Sequence, residues 1–225
     1  MKPSIKWIKE NIKGVIFDLD GTLIDSMWMW KEIDREYLSG YGISLPEDYQ
    51  KCIEGMSFHE VAVYTKERFG IPDTLDGIKD TWNRMSEEFY RTRVPEKPGV
   101  LAFLRFLKKQ GIRLGIATSN SRKLSESVLR ARGLDGFFDV HLTGCEVAHG
   151  KPYPDIYLEV AGRLMLSPGQ CLVFEDVEAG IAAGKAAGMK VCAVYDSYSL
   201  ASPELLKTMA DYYIDSFEDF VYEEG

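Results

Sequence analysis

The sequence predicts an α/β fold, a doubly wound parallel sheet with an all-helical domain inserted near its start. Two observations carry this expectation. From residue 99 onward, short apolar runs without polar alternation recur between helical stretches, as in strands covered on both faces and joined by helical crossovers. Between Ser26 and Pro98, by contrast, nothing reads as a strand. The chain has 225 residues and is 45% hydrophobic, enough for a sizeable core in one domain or two.

Taken in order, Ile5, Trp7, Ile8 and Ile12 suggest a short amphipathic turn lying on the body of the protein. Val15–Ile16–Phe17 is the first strand. Met27–Tyr41 then reads as a helix. Ser57 and Glu60 form a capping box that opens a second helix, stopped near Phe69 by Gly70 and Pro72. Asp73–Arg93 is a longer helix, and Pro95 and Pro98 stiffen the exit. We therefore place an α/β core over residues 1–25 and 96–225, and an all-helical domain over 26–95. An insert on two linkers is a common device for excluding water from a site. The core continues with a helix at Gly99–Gln110, a strand at Ile112–Ala117 and a helix at Ser121–Arg132. A strand at Val140–Thr143, a helix at Pro152–Leu166 and a strand at Cys171–Phe174 follow. The last elements are a helix at Glu178–Gly188, a strand at Val191–Tyr195, a helix at Pro203–Ala210 and an edge segment at Tyr212–Ile214. Gly180, Gly184 and Gly188 repeat every four residues, as expected where a helix approaches a sheet closely.

Bulk properties narrow the function. A formal charge of −8 argues against nucleic acid or anionic lipid as a partner, since either needs a basic face. The four cysteines lack C-x-x-C pairing or zinc-like spacing with the three histidines, which points to buried free thiols in a reducing cytoplasm. No apolar run is long enough for a membrane span, and the lysine-bearing first thirteen residues lack the apolar stretch of a signal peptide.

Each core strand ends at polar residues, where open α/β sheets bind ligands. Asp18 and Asp20 follow the first strand and lead into Gly21. Two acids placed side by side call for a cation between them or a shifted pKa; a plain Asp-Gly turn is the other reading. Thr118–Ser119–Asn120 precedes a helix, suiting either phosphate binding at free amides or ordinary N-capping. Lys151 stands ahead of a proline-started helix, placed either to offset carboxylates or to lie in solvent. Glu175–Asp176 ends the fourth core strand; with Asp18 and Asp20 it would make an all-oxygen site suited to Mg²⁺, and capping is again the alternative. One such station on each of four successive strand ends is hard to ascribe to capping alone.

Asp18–Leu19–Asp20–Gly21–Thr22–Leu23–Ile24–Asp25–Ser26, Thr118–Ser119–Asn120, Lys151–Pro152–Tyr153–Pro154–Asp155 and Phe174–Glu175–Asp176–Val177–Glu178–Ala179–Gly180–Ile181 resemble the four motifs of the haloacid dehalogenase superfamily. The helical insert is similar to the C1 cap of its β-phosphoglucomutase-like branch. The resemblance spans about Gly14 to Tyr195 and implies a Rossmann-like core. It further implies that Asp18 attacks phosphorus, that Asp20 is the general acid and base, and that Thr118 and Lys151 hold the phosphoryl oxygens. It implies Mg²⁺ on Asp18, the backbone carbonyl of Asp20 and Asp176, with Glu175 close by. Gly21 would let the cap move, and Ser119, Asn120, Glu54 and Gly55 would lie on the substrate side.

The family's sugar mutases carry a histidine in the first cap helix and a Lys-Gly-x-Ser-Arg loop. This chain has Trp30 and Glu54–Gly55–Met56–Ser57–Phe58 there, lacking the groups that grip a second phosphate. The expected activity is thus a Mg²⁺-dependent phosphatase acting as a monomer on a small soluble phosphomonoester, such as a sugar phosphate or nucleotide, or on pyrophosphate. A phosphomutase and a non-catalytic binding protein are the alternatives. Acidic residues at the Glu54 position also occur in a similar pyrophosphatase branch, and a solvated loop acid is an equal reading. Trp28, Trp30 and Met56 line the substrate side of the cap or form its own core.

Overall fold

In the computed structural model, which describes residues 1–220, the six strands are β1 (Gly14–Phe17), β2 (Arg113–Thr118), β3 (Val140–Thr143), β4 (Cys171–Glu175), β5 (Lys190–Val194) and β6 (Tyr212–Ile214). All neighbours pair in parallel, in the order β3-β2-β1-β4-β5-β6. β1 lies in the middle, and all four of its residues are buried. This is the doubly wound sheet expected from the unalternating apolar runs.

Alternation along the strands sends successive side chains to opposite faces. Val15 and Phe17, with Leu114, Ile116, Leu172 and Phe174, join the larger apolar cluster. Its covering helices are α1 (Ile5–Asn11), α6 (Val100–Lys109) and α7 (Arg122–Ala131), which contribute Ile8, Phe103 and Val128. Ile16 and Val173 face the other way, toward α8 (Asp155–Arg163), α9 (Glu178–Ala186) and α10 (Pro203–Met209). The first helix is the amphipathic segment read from its isoleucines, capped by Ser4, whose hydroxyl accepts from the Trp7 amide.

Four helices stand between β1 and β2: α2 (Met27–Ser39), α3 (Tyr49–Ile53), α4 (Phe58–Phe69) and α5 (Leu75–Thr92). The capping box at Ser57 and Glu60 forms as read, and α4 ends on left-handed Gly70. The two linkers run side by side. The Asp25 amide donates to the Pro95 carbonyl at 2.9 Å, and the Lys97 amide donates to the Leu23 carbonyl at 2.9 Å. α5 packs along α7, and Asn83 meets Ser121 across that seam at 3.1 Å. No helix among the described residues is long and apolar enough to cross a membrane.

Three expectations need correction. The helix placed at Pro152–Leu166 is shorter, Asp155–Arg163. A residue before proline is pushed out of the helical region, so Tyr153 ahead of Pro154 blocks an earlier start. The five-residue α3 is absent from the sequence reading, because a turn and a half offers no periodic pattern. The thiols are all free but only Cys171 and Cys192 are buried; Cys145 is exposed and Cys52 half-buried.

The aromatic centre of the larger cluster is Phe103, whose ring lies 4.4 Å from that of Phe220 and 5.4 Å from those of Phe174 and Phe217. Phe103→Ala removes this packing without touching a polar strand end. It should cost roughly 3–5 kcal/mol in urea denaturation. A loss below about 1 kcal/mol would show that the cluster re-collapses around the gap.

Candidate active site

The parallel register gathers the polar strand ends. Phe17 of β1 pairs with Ile116 of β2 and Phe174 of β4, so the next residue, Asp18, stands level with Ala117 and Glu175. The Asp18 amide continues the ladder to the Phe174 carbonyl at 3.0 Å. Lys151, from the turn ahead of α8, reaches in between. Its ammonium donates to Asp18 Oδ1 at 2.6 Å, to the Ala117 carbonyl at 3.1 Å and to Glu175 Oε1. Glu175 is fully buried and also accepts from the Tyr157 hydroxyl at 2.7 Å and the Asp176 amide at 3.0 Å. The lysine therefore offsets carboxylates and is not in solvent.

Two glycines make this packing possible. A Cβ at Gly180 would lie 1.8 Å from Glu175 Oε1, so α9 approaches this carboxylate only as glycine. A Cβ at Gly21, where φ is +82°, would lie 2.1 Å from Asp176 Oδ2. Gly184 faces Val173 and Val191 as the four-residue repeat suggested, whereas Gly188 lies beyond the end of α9.

Carboxylate oxygens of Asp18, Glu175 and Asp176 lie within 4.8 Å of one another. Burial pushes Asp18 up to about 8, against the pull of Lys151, and Glu175 adds to the rise. Asp176 is raised by burial and then by Glu175 and Asp18. Burial acts to lower Lys151, but its two carboxylate partners outweigh this and keep it charged. One cation thus serves three buried acids. Asp176 Oδ1 accepts from Thr22 at 2.8 Å, while its Oδ2 is buried with no hydrogen-bond partner. An all-oxygen set of three acids against one lysine, with an unpartnered carboxylate oxygen, fits a hard divalent cation such as Mg²⁺. The carboxylate of Asp20 lies outside this cluster.

Asp20 is instead held by other donors. Oδ1 accepts from Ser26 at 2.6 Å, from the Trp30 indole at 3.2 Å and from the Tyr90 hydroxyl; Oδ2 accepts from the Asn120 amide at 2.8 Å. Asn120 also donates to Tyr90 at 2.7 Å. Its side chain is thereby engaged in holding Asp20, a use beyond the substrate contact expected of it. Tyr90 is fully buried, and burial raises its pKa, so it remains a neutral donor. Sequence reading had no signal for Tyr90, which sits far from Asp20 in the chain within an ordinary amphipathic helix. Tyr157 was missed in the same way, whereas Thr22 stood inside the first motif without a role assigned to it.

A cavity of about 710 Å³ extends from Asp18, Asp20, Thr118 and Lys151 to the helical insert. Trp30 and Met56 line it, but Trp28 does not: it packs on Phe89 at 5.7 Å and donates to the Asp25 carbonyl. Glu54 and Gly55 reach the cavity at the seam with the core. Glu54 Oε1 accepts from the Ala179 amide at 3.4 Å, so it is not a freely solvated loop acid, and burial raises its pKa. Ser119 donates to the Gly55 carbonyl at 3.3 Å. Thr118 is buried, and its hydroxyl accepts from the Asn120 amide at 3.1 Å. Asp34 of α2 also lines the cavity, and sequence reading gave no reason to select it.

Burial pushes Asp34 up to about 7, with the Gln50 hydrogen bond pulling weakly the other way. The folded chain then keeps a proton that the unfolded chain releases above about pH 4. Its contribution to stability is full below that pH and falls as pH rises toward about 7. Asp34→Asn should therefore melt higher than wild type at pH 8, by on the order of 5 °C, with the gap closing at pH 4. Equal gaps at both pH values in thermal unfolding would show that Asp34 does not titrate in this range.

Comparison with known proteins gives the family of the chain. A family model for haloacid dehalogenase-like hydrolases matches residues 15–194. A phosphorylated carbohydrates phosphatase of Thermotoga maritima is 35% identical over 179 residues, covering 80% of this chain and 83% of its own. Hexitol phosphatase A of Escherichia coli is 34% identical over 184 residues, covering 81% and 82%. The crystal structure of a putative β-phosphoglucomutase from Thermotoga maritima superposes with a TM-score of 0.70 at 32% identity, covering 92% of this chain and 96% of its own. With its motifs converging on one cavity and most of its length matched, this chain belongs to the haloacid dehalogenase-like hydrolases and is a phosphatase of that family.

Proposed function

We propose that this protein is a Mg²⁺-dependent phosphatase that hydrolyses a small soluble phosphomonoester through an aspartyl-phosphate on Asp18. The observation that carries this reading is the contrast between the two aspartates. Asp18 sits in the carboxylate cluster beside Lys151, whereas Asp20, two residues on, is turned into a separate set of donors. This contrast supports reading the first as the nucleophile and the second as the group that transfers protons.

A carboxylate oxygen of Asp18 attacks phosphorus as the ester P–O bond breaks, and the departing oxygen takes a proton from Asp20. Water then attacks the aspartyl-phosphate and gives its proton to Asp20; the Asp18–phosphorus bond breaks and inorganic phosphate leaves. Thr118 and Lys151 hold the phosphoryl oxygens. Asp18, Glu175, Asp176 and the backbone carbonyl of Asp20 would hold Mg²⁺, which when bound supplies positive charge against the phosphoryl group. The insert over residues 26–95 acts as a cap, excluding water and bringing Tyr90 and Trp30 against Asp20. The relatives named for carbohydrate and hexitol phosphates support a polyol or sugar phosphate over pyrophosphate. The loop at Glu54–Phe58 carries no base to hold a second phosphate, which favours hydrolysis over a mutase.

Phosphate release from a sugar phosphate should require Mg²⁺ and fall to background in Asp18→Asn, which preserves shape. Retained turnover in that variant would refute the aspartyl-phosphate route. Tyr90→Phe removes one donor from Asp20 and should lower kcat roughly tenfold with KM little changed. A change confined to KM would assign Tyr90 to substrate binding instead.

A further inference from the structure

Asp34 takes no part in the chemistry proposed above, yet it faces the same cavity. It lies one helical turn beyond Trp30, so α2 presents both along one side. The residue is 6% exposed. Its Oδ2 accepts from Gln50 of α3 at 2.7 Å, and Oδ1 accepts no hydrogen bond from any described residue. No described Lys, Arg or His forms an ion pair with it. The same cavity is also lined by the apolar side chains of Phe58, Val61 and Trp82. A buried acid without an ion-pair partner is costly to folding, and an apolar residue of similar size would pack at lower cost. Its retention there is explained by a ligand group that pairs with it.

We propose that Asp34, braced by Gln50, selects the leaving group: it accepts a hydrogen bond from a hydroxyl or N–H of an uncharged leaving group whose apolar side rests on Phe58, Val61 and Trp82. This rests on the phosphatase reading and narrows it. The wall that the insert contributes carries the acids Asp34, Glu47 and Glu54, against one exposed base, Lys31. A second phosphate on the substrate would meet an acidic wall with no buried cation, so bisphosphates are disfavoured. A cavity of about 710 Å³ has room for a leaving group much larger than phosphate itself.

The test measures kcat/KM with Mg²⁺ for a hexitol phosphate, a hexose bisphosphate and acetyl phosphate, in wild type, Asp34→Leu and Asp34→Asn. Acetyl phosphate has no hydroxyl to reach Asp34. The wild type should prefer the hexitol phosphate to the bisphosphate. In Asp34→Leu the ratio of hexitol phosphate to acetyl phosphate turnover should drop roughly 10- to 100-fold. Asp34→Asn keeps an acceptor oxygen and should recover part of that ratio. Both rates come from one preparation, so a loss of folded enzyme cancels in the ratio. An unchanged ratio in Asp34→Leu, or a wild-type preference for the bisphosphate, overturns the assignment while Mg²⁺-dependent acetyl phosphate hydrolysis keeps the phosphatase reading intact. Absence of Mg²⁺-dependent phosphate release from all three substrates in wild type overturns the phosphatase reading, and the assignment with it.

Discussion

The ammonium of Lys151 between Asp18 and Glu175 is the contact on which the site depends. Three carboxylates are buried at the ends of β1 and β4, where little water reaches to screen them. Without a cation among them, their repulsion and desolvation would oppose folding of the sheet's centre. One lysine answers part of this charge and leaves the rest, together with the unpartnered oxygen of Asp176, for a divalent ion. The geometry around it follows from that need. Tyr157 donates to the same Glu175 oxygen as Lys151, Thr22 donates to Asp176, and Gly180 and Gly21 admit carboxylates where any side chain would collide.

The helical insert completes the site from above. Two of its residues, Trp30 and Tyr90, donate to the carboxylate of Asp20, which belongs to the core. The same helices carry the cavity's apolar wall and Asp34. The insert thus contributes donors to Asp20 and a wall of the cavity, while Asp18, Thr118 and Glu175 come from the sheet and Lys151 from the turn ahead of α8. Movement of the insert would change the environment of Asp20 but leave the Asp18–Lys151–Glu175 contacts in place.

Much of this was legible in the chain because the signals are local. Val15–Ile16–Phe17 reads as a doubly covered strand from three adjacent residues, and Ser57 with Glu60 announces a helix start from a four-residue pattern. The short α3 and the late start of α8 were not legible. The first is too brief for periodicity, and the second turns on backbone sterics at Tyr153–Pro154. Trp28 and Trp30, two residues apart and alike in chemistry, go to different places because successive helix positions face different ways: one packs on Phe89, the other reaches Asp20.

The sequence by itself determined the fold class and the polar strand ends, because strand burial, turn chemistry and motif spacing act between near neighbours. It named Asp18, Asp20, Thr118, Lys151, Glu175 and Asp176 as a group. The tertiary structure alone decided what each touches. Asn120 reaches Asp20 as well as the cavity, Glu54 settled against the start of α9, and Tyr90 and Asp34 arrived from helices with no local mark of function. Those outcomes depend on how the insert packs across the sheet, a matter of contacts between residues tens of positions apart that no short stretch encodes.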